Sequence, residues 1–387
     1  MSLSGTDPLV FIVAGETSGD ALGAKLMTAL RARRPGLRFA GVGGEAMTAA
    51  GLNSAFAMSD IAVMGFLPVI KRLPLLLRRI SQTAQACLAT DPAVLVIVDS
   101  PDFTHRVARR VRSAAPTLPI INYVSPTVWA WRPGRARAMR GYVDHVLAVL
   151  PFEPEAHRRL GGPPCTYVGH PLIERLGELR PSAEEGARRE SERTLLLMPG
   201  SRLSEVIRLM PIMGEAAARI AAAEPAVRFV LPVVPHVRAR IEAEIARWSV
   251  RPELVFGEAD KFSAFRRARA ALVASGTATL ELALSAIPMV TLYKTSAIEA
   301  AIVRAMIQVD TVLLPNLVLG EKFLPELLQE QATADAAVSA LLPLVRGGGE
   351  RAAQLAAFQR LDAAMQVAGG SPAAAAADIV VRAIDRR

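Results

Sequence analysis

Val94-Leu95-Val96-Ile97-Val98-Asp99-Ser100-Pro101-Asp102-Phe103 is the stretch that decides the fold. Its first half is apolar and mostly β-branched with no polar alternation, so both faces of the strand it forms must be covered, as inside a parallel sheet. The second half stops the strand and starts a helix. This leaves carboxylates at the edge where the strands of an α/β sheet end and ligands bind. The same texture recurs on both sides. Strand-length apolar runs at 9–14, 37–42, 120–123, 143–149 and 166–168 alternate with helix-length amphipathic segments, and the pattern resumes at 194–198, 227–232, 253–256, 271–274 and 289–292. Between the two series, residues 177–193 are nearly all polar or small and dense in charge, which predicts a connector that buries little. The chain therefore reads as α/β, with two doubly wound Rossmann-like domains, 1–176 and 194–350, facing a central cleft. Helices over 351–387 are expected to fold back on the first domain.

At about 150 residues per domain, 387 residues suit two domains. Lys and Arg exceed Asp and Glu by 45 − 36 = +9, so anionic partners are expected: nucleic acid, nucleotide phosphates or an acidic membrane surface. Two cysteines, Cys87 and Cys165, form no C-x-x-C pair and indicate a reducing compartment. The amino-terminal residues lack the basic and apolar segments of a signal peptide, and no run reaches the roughly 20 apolar residues of a spanning helix. A cytoplasmic protein is expected.

The histidines have no metal-ligand spacing, and no G-x-S-x-G elbow or G-x-x-x-x-G-K-[ST] loop occurs; neither metal nor cofactor is expected. Gly41-Val42-Gly43-Gly44-Glu45-Ala46 fits the loose G-x-G-x-x-A pattern of dinucleotide sites, with Asp60 at about the ribose-binding distance. The helix after it is too short for a proper crossover, so this reads as a glycine-rich turn.

Three other turns carry chemistry. Gly15-Glu16-Thr17-Ser18-Gly19-Asp20 brings amides and carboxylates to a sheet edge, where they serve a ligand or cap the helix through Ser18 or Asp20. Of the two aspartates after residue 98, Asp102 reads as a helix cap and Asp99 as the general base. In the second series, Gly200-Ser201-Arg202 and Ser275-Gly276-Thr277, the latter followed by Glu281, are small-residue turns entering helices, suited to a diphosphate. Segment 61–80 has no acidic residue. Leu73, Leu76, Leu77 and Ile80 form a face expected to be core, while Phe66, Leu67, Val69, Ile70 and Leu75 lie beside Lys71, Arg72, Arg78 and Arg79 and suit an anionic lipid interface.

The ordered set Ala14–Asp20, 41–44, 99–103, 123–131, 150–153, 168–171, 199–202, 275–281 and 314–317 resembles the lipid-A-disaccharide synthases, inverting glycosyltransferases of the GT-B fold. The resemblance implies transfer of 2,3-diacylglucosamine from its UDP derivative to 2,3-diacylglucosamine 1-phosphate (lipid X), giving the β-1,6-linked disaccharide 1-phosphate and UDP at the inner face of the inner membrane. It also implies Asp99 as base, roles in activity for Arg202 and Asn316, and a homodimer. Thr104 stands where many members have Asn, and Glu321-Lys322 where many have Arg-Glu. Other readings of the same residues are another GT-B UDP-sugar enzyme, such as an epimerase or cell-wall glycosyltransferase, and a non-catalytic membrane-surface protein.

Overall fold

The computed structural model describes residues 7–61, 66–367 and 370–387; the side chains of residues 66–71, 298 and 302–305 lie outside the description. The chain divides into two units, Met1–Pro171 with Val367–Arg387, and Leu172–Gln366.

The first unit runs β1 (Leu9–Ala14), α1 (Thr17–Arg33), β2 (Arg38–Val42), α2 (Glu45–Ala49), α3 (Phe66–Ala89), β3 (Val94–Val98), α4 (Pro101–Ala114), β4 (Ile120–Tyr123), α5 (Gly134–Met139), β5 (His145–Ala148), α6 (Glu153–Arg159) and β6 (Cys165–Tyr167). The six strands form one parallel sheet in the order β2-β1-β3-β4-β5-β6. Every residue of β3 is fully buried, as its unbroken apolar composition requires. The strand order turns back between β1 and β3, so the loops after these two strands diverge to opposite faces and leave a crevice at the carboxyl edge.

The second unit contains α7 (Leu176–Leu179), α8 (Ala183–Ser191), β7 (Thr194–Met198), α9 (Leu203–Ala223), β8 (Arg228–Val233), α10 (Arg238–Ile245), β9 (Glu253–Phe256), α11 (Gly257–Arg267), β10 (Ala268–Ala274), α12 (Ala278–Leu284), β11 (Met289–Tyr293), α13 (Ala297–Met306), α14 (Leu314–Leu319), β12 (Glu326–Leu328), α15 (Ala334–Arg346) and α16 (Gly349–Met365). Its sheet is also parallel, in the order β12-β11-β10-β7-β8-β9, with the reversal between β7 and β10. Leu195, Leu197, Leu272 and Val290 of the sheet pack with Val206, Leu209 and Met213 of α9 and Leu341 and Leu344 of α15.

Two boundaries differ from the sequence expectation. Residues 177–193 are no free connector: they fold as most of α7 and all of α8, where Ser182 and Glu185 form a capping box. Arg189 of α8 is 5% exposed and donates to the carbonyls of Phe265, Arg266, Ser285 and Ala286 at 2.8–3.1 Å. Polar composition here conceals a guanidinium that ties four carbonyls at the ends of α11 and α12. The tail also splits. α16 belongs to the second unit, its Gln354 pairing with both backbone groups of Met289 at 2.7 and 3.1 Å. Only the closing helix α17 (Pro372–Asp385) returns to the first unit, burying Ala376, Ala377, Val380 and Ile384 and placing Asp378 against Arg33 of α1 and Asp385 against Arg34 at its C-cap. Among the described residues no helix is long and apolar enough to cross a membrane.

Candidate functional site

At the turning point of the first sheet, β3 ends in two consecutive left-handed residues, Asp99 (φ 51°) and Ser100 (φ 46°). Such conformations cost about 1–3 kcal/mol each and persist only where surrounding contacts enforce them. Here Thr104, one turn into α4, donates its hydroxyl to the carbonyls of Asp99 (2.7 Å) and Ser100 (3.1 Å), and the Asp99 amide donates to Tyr123 of β4 at 3.0 Å. The Asp99 side chain accepts from the Ser100 amide at 2.7 Å. Gly15, at the end of β1, lies so close that a Cβ there would collide with the Ser100 side chain.

This packing draws Glu16 and Asp99 into one electrostatic neighbourhood. Burial raises the Asp99 carboxyl above its ordinary range, against the lowering effect of the Ser100 amide. Glu16 keeps an exposed edge, yet partial burial raises it, the Asp99 charge raises it further, and a hydrogen bond with the Ser100 side chain opposes both. Two like charges in a poorly solvated crevice disfavour double ionisation, so the pair holds a proton to higher pH than either carboxyl would in water.

The neighbouring candidates separate. Ser18 is exposed in the first turn of α1, and Gly19 lets the helix approach the Val98 carbonyl. Neither Ser18 nor Asp20 caps α1, whose N-cap is Glu16 without a side-chain cap bond. Asp20 instead is 3% exposed and accepts from Gly44, Ala46 and Met47 amides at 2.7–3.0 Å, capping α2. The amides that a dinucleotide pyrophosphate would need are therefore already occupied by a carboxylate, and Asp60 is held by Arg79. Asp102 also does not cap: Ser100 is the N-cap of α4, and the Asp102 side chain is solvent-exposed, 3.3 Å from Arg135.

The loop after β4 was quoted from sequence without a role and proves heavily braced. Val124 has φ 73°, a strained value for a β-branched residue. Its carbonyl accepts from Asn122 at 2.9 Å, and Asn122 bonds His105, which bonds Tyr142. Ser125 bonds His157 at 2.8 Å, and Trp129 donates to Glu153, which also accepts the Val149 and Leu150 amides. Burial overrides these three donors and pushes the Glu153 carboxyl up to about 7. Trp131 emerges from this bracing 38% exposed.

In the second unit both small-residue turns flank the reversal between β7 and β10. Gly200 (φ 98°) makes the sharp exit from β7; a Cβ would strike Glu205. Glu205 accepts the Arg202 amide at 3.2 Å and its guanidinium at 2.8 Å, while most of the Arg202 side chain faces solvent. His236 donates to the Ser201 carbonyl at 2.6 Å. Beyond β10, Ser275 donates its amide to Leu292 at 2.9 Å, Gly276 and Thr277 are exposed, and Thr279 anchors the turn through the Gly276 carbonyl at 2.7 Å. Glu281 is no free surface carboxylate. Lys261 of α11, which the sequence reading did not single out, holds it at 3.0 and 3.2 Å. Asn316 is fully buried, donating to Leu324 O and Thr311 and accepting the Leu324 amide at 3.0–3.3 Å, so it fixes the segment entering β12 and presents no group to solvent. Among the described residues no three His, Cys, Asp or Glu side chains converge to hold a metal ion.

Residues 10–380 match the family model described as lipid-A-disaccharide synthetase. The chain belongs to that family. The lipid-A-disaccharide synthase of Bradyrhizobium diazoefficiens is 52% identical over 98% of both chains. That of Rhodospirillum centenum is 41% identical over 98% of this chain and 95% of its own. Solved structures share the fold at low identity: a UDP-GlcNAc 2-epimerase from Neisseria meningitidis bound to UDP-GlcNAc (TM-score 0.63, 11% identical, 98% and 100% covered) and the glycotransferase of kitacinnamycin (TM-score 0.61, 18% identical, 97% and 99% covered). This lipid-A-disaccharide synthetase family chain thus has the two-sheet GT-B architecture.

Segment 61–80 of this family member differs from the sequence expectation at Leu73 and Leu77. Ala62–Gly65 and the side chains of Phe66, Leu67, Val69, Ile70 and Lys71 lie outside the described residues. Among the rest, Ile80 and Leu76 face the core, but Leu73 and Leu77 are 44% and 40% exposed, and Leu75 is half-buried. Arg72 and Arg78 are exposed, whereas Arg79 is committed to Asp60 and lies 4.5 Å over the Phe56 ring. Among the described residues the apolar stripe facing solvent is Leu73 and Leu77, one turn apart, two leucines that the sequence reading assigns to the core.

Proposed function

We propose that the protein joins two acylated glucosamine units by a single inverting displacement. The match of residues 10–380 to the lipid-A-disaccharide synthetase family carries this reading. The donor is UDP-2,3-diacylglucosamine and the acceptor 2,3-diacylglucosamine 1-phosphate. The acceptor 6-oxygen forms a bond to donor C1 as the C1–O bond to UDP breaks, and Asp99 takes the hydroxyl proton. Its raised affinity for a proton, caused by burial, brings it closer to neutral pH than an ordinary aspartate. Glu16 and Ser100 hold that carboxyl's environment. Charge developing on the UDP oxygen is met by Arg202 and by the exposed turns at Ser201 and Gly276-Thr277. Glu281 and Asn316 act as positioning residues, the first by holding Lys261, the second by fixing the loop before β12.

Both substrates carry acyl chains whose exposure costs about 0.8 kcal/mol per CH₂, so the reaction belongs at a membrane surface. Leu73 and Leu77, flanked by Arg72 and Arg78, dock on the anionic inner face of the inner membrane, and the protein works there as a peripheral enzyme and a homodimer. Incubation with both lipids should yield one UDP per β-linked disaccharide 1-phosphate. UDP without disaccharide, or a C2 epimer of the donor, would reject the reading.

A further inference from the structure

The first unit has a second concave feature, at the edge of its sheet opposite Asp99. A cavity of about 360 Å³ lies where β4, β5 and β6 begin, roofed by the last turns of α17. It is bounded by Arg112 at the end of α4, His145 at the start of β5, Thr166 of β6, Arg382 of α17 and Arg386 at its C-cap, with Ile121 and Ile379 as apolar wall. Asp99 and Glu16 sit beyond the carboxyl ends of the strands, so the length of the sheet, roughly 13 Å for a four-residue strand, separates this cavity from the reaction.

Charge is distributed unevenly around it. The cavity's carboxylate, Asp144, is spent: it pairs with Arg112 at 2.5 Å and accepts the Ile120 amide at 2.7 Å. On α17 the carboxylates also go elsewhere, Asp378 to Arg33 of α1 and Asp385 to Arg34 at its C-cap. Asp378 feels the charge of Arg382 one turn away only as a minor contribution, its hydrogen bonds going to Arg33. Among the described residues no carboxylate is bonded to Arg382 or Arg386, and the two, four residues apart at the end of α17, line one hollow. Their field reaches inside, since both arginines add to burial in holding the His145 imidazole below its usual range. His145 is bonded to Thr166 at 2.9 Å, which fixes a neutral polar group beside the two cations.

We infer that this cavity is a binding site for a phosphate-bearing anion, held by the paired guanidinium groups of Arg382 and Arg386 and oriented by His145 and Thr166. Guanidinium forks match phosphate oxygens bidentately, and two of them one helical turn apart suit a phosphate monoester or diester better than a monovalent halide. The apolar wall at Ile121 and Ile379 suits a ligand whose phosphate bears a carbon substituent. Such chemistry is offered both by a soluble phosphate ester and by a phospholipid headgroup.

Inorganic phosphate is the first probe, titrated against the full-length protein in chloride of matched ionic strength and read by ³¹P chemical shift. Saturable binding is expected, weakened on the order of tenfold or more in the Arg382→Gln/Arg386→Gln protein. Circular dichroism checks that this protein is folded; if it is not, Arg382→Lys/Arg386→Lys keeps the charges while removing the forks and is expected to weaken binding by a smaller factor. Vesicles of phosphatidylcholine alone and of equal parts phosphatidylcholine and phosphatidylglycerol separate the two sources. Retention on the anionic vesicles that falls in the folded Gln variant assigns a headgroup; unchanged retention with lost phosphate binding assigns a soluble ester. Phosphate shifts and vesicle retention both identical in wild type and variant would overturn the proposal.

Discussion

Asp99 is a short side chain on a strained backbone, and the strain has a function: a left-handed residue immediately after a fully buried strand turns the carboxyl toward the crevice instead of along the strand. Asp99→Asn keeps the shape and removes the proposed base, so turnover should fall by about 10²–10⁴-fold with UDP affinity unchanged in calorimetry. Activity within a few-fold of wild type would remove Asp99 from the chemistry. Glu16 supplies a test of the pairing. Because the two carboxyls share a raised demand for a proton, the rate should rise with pH as the pair loses its last proton, and Glu16→Gln should shift that acidic limb of kcat/KM to lower pH. An unmoved limb would mean that the two groups do not communicate. Arg202→Ala should weaken UDP binding and turnover together, since its guanidinium is mostly in solvent and available to a phosphate. That Asp99 follows a buried strand could be read from the apolar run before it. Its neighbourhood could not: nothing in a linear sequence shows that Ser100 fills the space beside Gly15, or that Val124 is forced to positive φ by a histidine–asparagine chain rooted in Tyr142.

Elements tell a similar story about range. The strands are legible because a buried parallel strand must be apolar throughout, and Thr194–Met198 or Val94–Val98 satisfy this within a few residues. Caps and tethers are not legible when the partners are distant. Asp20 caps α2 across 24 intervening sequence steps, and this contact closes the glycine turn that superficially suits a dinucleotide. Asp20→Ala would leave three amides, of which Met47 N lies fully inside, without a partner; a loss of about 1–3 kcal/mol is expected in urea unfolding, with the acceptor chemistry affected only through stability. Helix α3 departs from its expected pattern at Leu73 and Leu77 because its apolar face is divided around the circumference: Leu76 and Ile80 lie over the core, while Leu73 and Leu77, rotated about 60° from them, lie beyond its rim. Leu73→Ser/Leu77→Ser should release the protein from anionic vesicles and leave it folded in circular dichroism, because both side chains lie outside the buried core. A folded variant that stays on vesicles would place the dock elsewhere.

At the scale of the molecule, the residues proposed for the chemistry of each unit lie beside the reversal of its own strand order, a relation that follows from topology and needs no shared sequence. Residues 172–366 form an uninterrupted stretch with its own core, so expressed alone they should unfold cooperatively and bind UDP without turnover. Failure to bind would mean that the nucleotide depends on groups outside that unit. The first unit has no such independence, since α17, which buries Ala376, Ala377, Val380 and Ile384 in its packing with α1, follows the whole second unit in the chain. During synthesis at roughly 5–20 residues per second, the ribosome therefore releases a sheet whose outer layer is missing for many seconds, while the second unit can complete itself in the interval. Nascent chains of this protein should accordingly recruit holdase chaperones to the face of α1, and a pause in translation after residue 366 would lengthen that dependence without touching the finished enzyme.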